Sequence, residues 1–486
     1  SCIMFAHLAW IAALAAVASA KISASVFRHL DEAPTTDIVV EFSGTQLPLA
    51  HADVGLRSLE TRSARLTHLT ETLEAHAAAV QSGVKDILAS QPESSTAATY
   101  ESYFISNTLF VYGASAALVD QIAKDPAVSK VRSPFVGKLP VLQFEASAVG
   151  GNNTIDATNE WGIELINAPG VWAAGNRGEG VVVGSIDTGA LYTHEALKSN
   201  WRSNYGWFDP TDKSKTPNDG NGHGTHTIGS SVGANGIGVA PGAQWISCRG
   251  CTTDSCPEAA LTGCGQWMLC PTDVQGNNKK CELAPGVINN SWGGGAAGED
   301  WYQATVDAWQ KAGIIPVFAN GNAGPNCATV ASPGDYKNVI GVGAVGADDK
   351  LASFSSKGPT PDARIKPDVS APGYKVRSSW NSGNSAYNTI SGTSMATPHV
   401  TGAVALSLAS HKGASFADVY NAFTTTVDTK TLTPDKANCG GVSDSKYPNN
   451  NYGFGRINVQ RAVGGSTPSP PTKTPTPPTT SPTKTP

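Results

Sequence analysis

Charge is scarce in this sequence. Asp, Glu, Lys and Arg make up 15% of its 486 residues, against roughly 25% in an average soluble domain. Glycine, by contrast, occurs 51 times. That balance suits a tightly packed α/β protein with many turns and excludes a coiled coil or a charge-rich disordered chain. A net charge of −5 is too small for this length to call for a polyanionic partner. No basic stretch is interleaved with aromatics, which excludes a nucleic-acid-binding surface. Cysteine is missing from residues 21–150, where glycine is also sparse. A second C-x-x-C at finger spacing is missing too, so Cys248-Arg249-Gly250-Cys251 does not read as half of a zinc site.

What is present divides the chain into four segments. Residues 1–20 read as a signal peptide. Ile3 to Ala18 is mostly apolar, Ala18-Ser19-Ala20 is a small-x-small cleavage site, and the run is short for a membrane span. Residues 21–150 read as a small α+β domain. Ile38 to Phe42 forms a strand, Leu56 to Leu88 a helical stretch, Phe104 to Tyr112 a strand, Ala116 to Ala123 a helix and Val128 to Val131 a last strand. Over residues 151–465 short apolar runs such as Val181 to Ile186 alternate with helical stretches such as Tyr302 to Ala312. That is the pattern of a mostly parallel sheet covered on both faces. Residues 466–486 are almost all Pro, Thr and Ser with two Lys, and read as an extended linker or tail. Eight cysteines lie between Cys248 and Cys439. An even number in an exported chain predicts four disulfides.

Three short motifs carry chemistry. Asp187-Thr188-Gly189 ends a buried strand with a carboxylate. Gly222-His223-Gly224-Thr225-His226 sets a histidine between glycines. Gly392-Thr393-Ser394-Met395-Ala396-Thr397-Pro398-His399 starts a helix with a serine, and Pro398 reads as an early helical position where a missing N–H costs little. Alone, each has an ordinary explanation: a turn residue, a structural histidine, an N-cap. Together they supply acyl transfer. A serine hydroxyl needs a neighbouring imidazole to take its proton, and the imidazole needs a carboxylate to fix its tautomer. The helix N-terminus at Ser394 favours a developing oxyanion. The chain order Asp, His, Ser differs from the Ser, Asp, His order of α/β-hydrolases, whose G-x-S-x-G is also incomplete here.

These motifs resemble the three signatures of the subtilisin-like serine proteases, the subtilases. The resemblance spans about Trp161 to Val463. Asn289-Asn290-Ser291-Trp292-Gly293-Gly294-Gly295 and Phe318-Ala319-Asn320-Gly321-Asn322 resemble the bacillopeptidase F type within that family. It implies a three-layer α/β fold with a mostly parallel central sheet, preceded by a ferredoxin-like propeptide domain that inhibits intramolecularly until it is cut off. It implies a secreted endopeptidase acting on proteins or peptides as a monomer, with no cofactor required. Asp187, His223 and Ser394 become the triad and Asn322 the oxyanion donor. Ser291, Trp292 and Gly293 form one wall of the substrate cleft, and Arg249 and Gly250 the opposite wall.

The pattern also has departures. The loop Ser231 to Val239 is short and lacks a carboxylate, so the calcium site that many relatives carry there is not indicated. The cysteine cluster from Cys248 to Cys281 is an addition. Asn152-Asn153-Thr154 is a usable glycosylation sequon, whereas Asn289-Asn290-Ser291 is expected to be buried. Self-processing is expected between about Lys138 and Asn159. An aspartic protease would need a second Asp-Thr-Gly or Asp-Ser-Gly turn, which is absent. A sedolisin-like acid peptidase would carry Glu where His223 stands. A non-catalytic binding protein on the same scaffold would have lost one of the four site residues.

Overall fold

The computed structural model describes residues 20–464 apart from 46–47, 51–58, 93–96, 138, 140–142, 145–158 and 254. Residues 1–19 of the expected signal peptide, the sequon at Asn152 and the tail lie outside the described residues, as does most of the expected processing region.

The N-terminal unit is built from helices α1 (Ala24–Glu32), α2 (Arg62–Val80), α3 (Ser82–Ala89) and α4 (Ala116–Ala123) and strands β1 (Thr35–Phe42), β2 (Thr99–Tyr103), β3 (Thr108–Ser115) and β4 (Val128–Arg132). The strands pair antiparallel in the order β2-β3-β1-β4, which is the ferredoxin-like arrangement. Ile38, Val40, Leu109, Val111, Leu118, Ile122 and Val131 share its core. Three details differ from expectation. α1 was not foreseen. The stretch expected as one helix from Leu56 to Leu88 is two: Thr61 caps α2 by accepting from Ala64 N, and the buried Gln81 side chain bonds Asn107 and Ser102 where the helices meet. The expected strand from Phe104 to Tyr112 is a turn followed by β3, because Asn107 adopts φ 51° and the chain reverses there.

Val136–Gly137 (β5) and Gln143–Phe144 (β6) lie between the two units. The larger unit has a seven-stranded sheet in which every pair is parallel. It comprises β7 (Val182–Asp187), β8 (Trp207–Phe208), β9 (Gln244–Arg249), β11 (Val287–Asn290), β12 (Ile315–Ala319), β13 (Ile340–Val345) and β14 (Val369–Pro372), in the order β14-β13-β12-β11-β7-β9-β8. A short β10 (Cys256–Pro257) pairs with β5, and β15 (Val376–Ser379) with β16 (Tyr387–Ser391) and β6 forms a small antiparallel sheet.

Side chains alternate across a strand, and here both faces are apolar. Val183, Val287, Val317 and Val342 pack with Ile228 and Val232 of α5 (His223–Val232) and with Ala403 and Val404 of α8 (Thr393–Ser410). Ile186, Ile246, Ile288 and Phe318 pack with Leu261 and Met268 of α6 (Glu258–Leu269) and with Val306 and Trp309 of α7 (Gln303–Lys311). The result is the three-layer α/β fold. Leu66, Leu69 and Leu73 of α2 join the α6 and α7 side, so the N-terminal unit buries its longest helix on the larger one. Arg62 donates to the carbonyls of Ala284 and Pro285, and Lys279 pairs with Glu74.

Candidate active site

In a parallel sheet covered by helices, clefts open beyond the carboxyl ends of the strands. Asp187 is the last residue of β7, between β9 and β11. It is fully buried. One carboxylate oxygen accepts from His223 Nδ1 at 2.7 Å and from Thr188 N at 2.7 Å, and the other accepts from Thr227 Oγ1 at 3.2 Å. His223 opens α5. Its approach depends on both flanking glycines. Gly222 has φ 103°, and a Cβ there would meet the Trp380 ring at 2.7 Å. A Cβ on Gly224 would fall 2.2 Å from Gly189 O, so only glycine lets α5 close onto the turn that follows Asp187. Because Nδ1 donates to the carboxylate, the acceptor lone pair of a neutral His223 lies on Nε2. That atom is buried and has no hydrogen-bond partner among the described residues.

Ser394 is the second residue of α8. Its hydroxyl donates to Ser291 O at 3.0 Å, and the Ser291 hydroxyl donates to Ser394 O at 3.0 Å. The reason lies four residues on. Pro398 is early in α8, as expected, but lies past the first turn, where its missing N–H is not free of cost. Its missing N–H leaves the Ser394 carbonyl without its helical donor, and Ser291 supplies one. Asn322 follows β12. Its Oδ1 accepts from Thr393 N at 2.9 Å and Thr393 Oγ1 at 2.7 Å. These bonds fix the amide so that Nδ2 points away from them, buried and without a partner among the described residues.

Beside this amide is a cavity of about 520 Å³, lined by Leu139, Trp292, Gly293, Ala319, Asn322 and Val330 among others. Trp292 is fully buried and is braced edge-on by Tyr302 and Phe318. The chain leaving the N-terminal unit runs past it. β5 pairs antiparallel with β10, matching Gly137 to Cys256 and Val136 to Pro257. Phe135 stacks on Trp301 with centroids 4.7 Å apart, and β6 pairs with Ile390 and Ser391 just before α8. The pairing edge is therefore Cys256–Pro257. Arg249 pairs with Asp209 and Asp212, and Gly250 donates to Asp187 O at 3.0 Å. All eight expected cysteines pair, as Cys248–Cys264, Cys251–Cys256, Cys270–Cys281 and Cys327–Cys439, so the C-x-x-C is not a zinc site. Among the described residues no three His, Cys, Asp or Glu side chains gather to hold a metal ion. Asn289 is buried, as expected of that sequon.

Sequence reading missed Asp219. Its carboxylate accepts from Thr188 Oγ1, Asn221 N, Gly222 N, Thr225 N and Thr225 Oγ1, tying the Asp187 turn to the start of α5. The signal was there: Asn218-Asp219-Gly220-Asn221 is a run of turn-formers directly before the histidine. Two further histidines are buried near the site. Burial pushes His226 down to about 3, helped by the neighbouring His223, and pushes His399 down to about 4.

The fold and the match of its sequence are those of a serine protease of the subtilisin type. The chain belongs to the subtilase family, which matches residues 178–455. It is 33% identical to Bacillopeptidase F of Bacillus subtilis (strain 168) over 92% of this chain, and spans only 32% of that protein's length. It is 34% identical to Subtilisin DY of Bacillus licheniformis over 63% of this chain and 99% of that protein. Subtilisin E of Bacillus subtilis (strain 168) is 31% identical over 71% of this chain and 78% of its own length.

Proposed function

We propose that this protein is an endopeptidase that hydrolyses peptide bonds in proteins through an acyl-enzyme on Ser394. The observation that carries this reading is the fully buried His223–Asp187 contact of 2.7 Å, which leaves Nε2 as the acceptor. For the reaction Ser394 turns its hydroxyl from the Ser291 carbonyl to His223 Nε2. The imidazole takes the proton as Oγ attacks the scissile carbonyl, then gives it to the leaving amine. Asp187 stays ionised and stabilises the imidazolium. The oxyanion is held by Asn322 Nδ2 and the Ser394 N–H at the start of α8. Trp292 and Gly293 wall the pocket for the side chain before the cleaved bond. Every step uses this chain's own groups. No cofactor is invoked, and calcium is assigned no role.

The same reading makes the protein a zymogen. Residues 1–20 direct export, residues 21–150 fold against the protease and are released by self-cleavage, and the mature enzyme acts extracellularly as a monomer. Supporting it, β5 lies along β10 as a substrate strand would, Leu139 reaches the specificity cavity, and the match to Bacillopeptidase F extends well beyond the family's own segment. The test is Ser394→Ala in the full chain. The variant should fold, fail to react with a fluorophosphonate, show no turnover, and accumulate at full length. Turnover at the parent rate would end the assignment.

A further inference from the structure

We propose that Glu258 gives the mature protease a preference for substrates with a basic residue upstream of the cleaved bond. The inference rests on the protease reading above. Glu258 is the first residue of α6, immediately after β10, where a helix end favours negative charge. Its side chain is only 2% exposed. Arg132 grips it with two bonds, Nη1 to Oε2 at 2.8 Å and Nη2 to Oε1 at 2.5 Å, and Phe135 N donates to Oε2 at 2.7 Å. Every hydrogen bond recorded for this carboxylate among the described residues comes from Arg132 or Phe135, both in the part to be released. Among the described residues the larger unit itself supplies no ion-pair partner to it.

The two partners part unequally. Arg132 keeps Glu41, which it already pairs with. Glu258 keeps no counter-charge, and departure of Arg132 and Phe135 uncovers its carboxylate for an incoming cation. Glu258 then stands at the end of the strand edge on which substrates lie. Register makes the consequence specific. With Gly137 opposite Cys256 and Val136 opposite Pro257, the next residue upstream meets Glu258 through both backbone groups, since Glu258 N also donates to Phe135 O at 3.2 Å. A substrate following this path brings its backbone N–H to Oε2. An arginine three places earlier then meets the carboxylate side-on, as Arg132 does. The bidentate fit favours arginine over lysine.

The experiment uses enzyme matured from the full chain, quantified by active-site titration, and internally quenched peptides of residues 129–146. One peptide keeps Arg132 and its twin carries Gln there. Native enzyme should cleave the Arg peptide with kcat/KM at least about tenfold higher. Glu258→Gln enzyme should bring the two within about twofold, and Glu258→Arg should prefer a peptide with Glu at that place. A native ratio within about twofold overturns the proposal, as does an equal ratio in both enzymes. If Glu258→Gln enzyme does not mature, the native ratio decides alone. Failure of the protease reading looks different: native enzyme then cleaves neither peptide nor denatured casein, and takes up no fluorophosphonate.

Discussion

At the scale of single residues, the site is made by bonds that aim other groups. Thr393 holds one end of the Asn322 amide so that the other end is free. If that free end meets charge present only in the transition state, Asn322→Ala should lower kcat and leave KM nearly unchanged. The size is borrowed from the corresponding donor in subtilisin, a relative, where loss costs roughly 10²–10³-fold. Measuring both constants per titrated site decides between this and a structural role, which would lower stability and spare the folded fraction. Pro398 and Ser291 form a second such pair. Ser291→Ala should strip the buried Ser394 carbonyl of its donor and cost about 1–3 kcal/mol in denaturant unfolding. Adding Pro398→Ala returns a helical N–H to that carbonyl and should recover part of the loss. No recovery in the double variant would show that the hydroxyl is not standing in for the missing amide.

At the scale of elements, what was legible depended on how locally a residue acts. Ala116 to Ala123 and Val128 to Val131 were readable because period and capping lie within a few residues. Ser115 caps α4 by accepting from Leu118 N. Asp187, His223 and Ser394 were readable because each needs a fixed local frame: a strand end, a glycine-flanked helix start, a glycine before a helix. The β2–β3 hairpin was not, since its turn rests on one asparagine at positive φ. The start of α8 was read to within one residue, but the cost of Pro398 was not, because its missing N–H falls past the first turn and is made good by Ser291, far away in sequence. Glu258 and β10 were invisible because their partners sit far away in sequence, at Arg132 and Val136. The Cys251–Cys256 bridge closes the loop that leads into β10, and so pre-shapes the edge that pairs with β5 and, on the proposed reading, with substrate. Replacing both cysteines by serine should raise KM for long peptides by about threefold or more while kcat stays within about twofold. An unchanged KM would show that the edge holds its shape without the bridge.

At the scale of the whole molecule, the buried histidines set an acid limit. His226 and His399 are neutral in the folded protein down to about pH 3 and about pH 4, against an ordinary value of 6.5. Below 6.5 the unfolded chain takes up protons that the folded one refuses, so stability falls as pH is lowered through this window. Each unit of difference is worth about 1.4 kcal/mol. Unfolding of Ser394→Ala protein, chosen to prevent self-digestion on the proposed mechanism, should therefore show a midpoint that drops steadily from pH 6.5 to 4. His399→Gln should flatten that slope, and an equal slope in both proteins would remove His399 from the account.

The Cys327–Cys439 bridge spans 112 residues of sequence, including Ser394 and all of α8. A protease at high concentration is exposed to its own kind. A single backbone cut anywhere between these two cysteines opens a loop without releasing a fragment, because both pieces stay covalently joined. The serine remains tethered to the segment that carries Asn322, and the cut chain can settle back into place. The bridge thus keeps any single cut over the stretch that holds Ser394 from separating the two pieces.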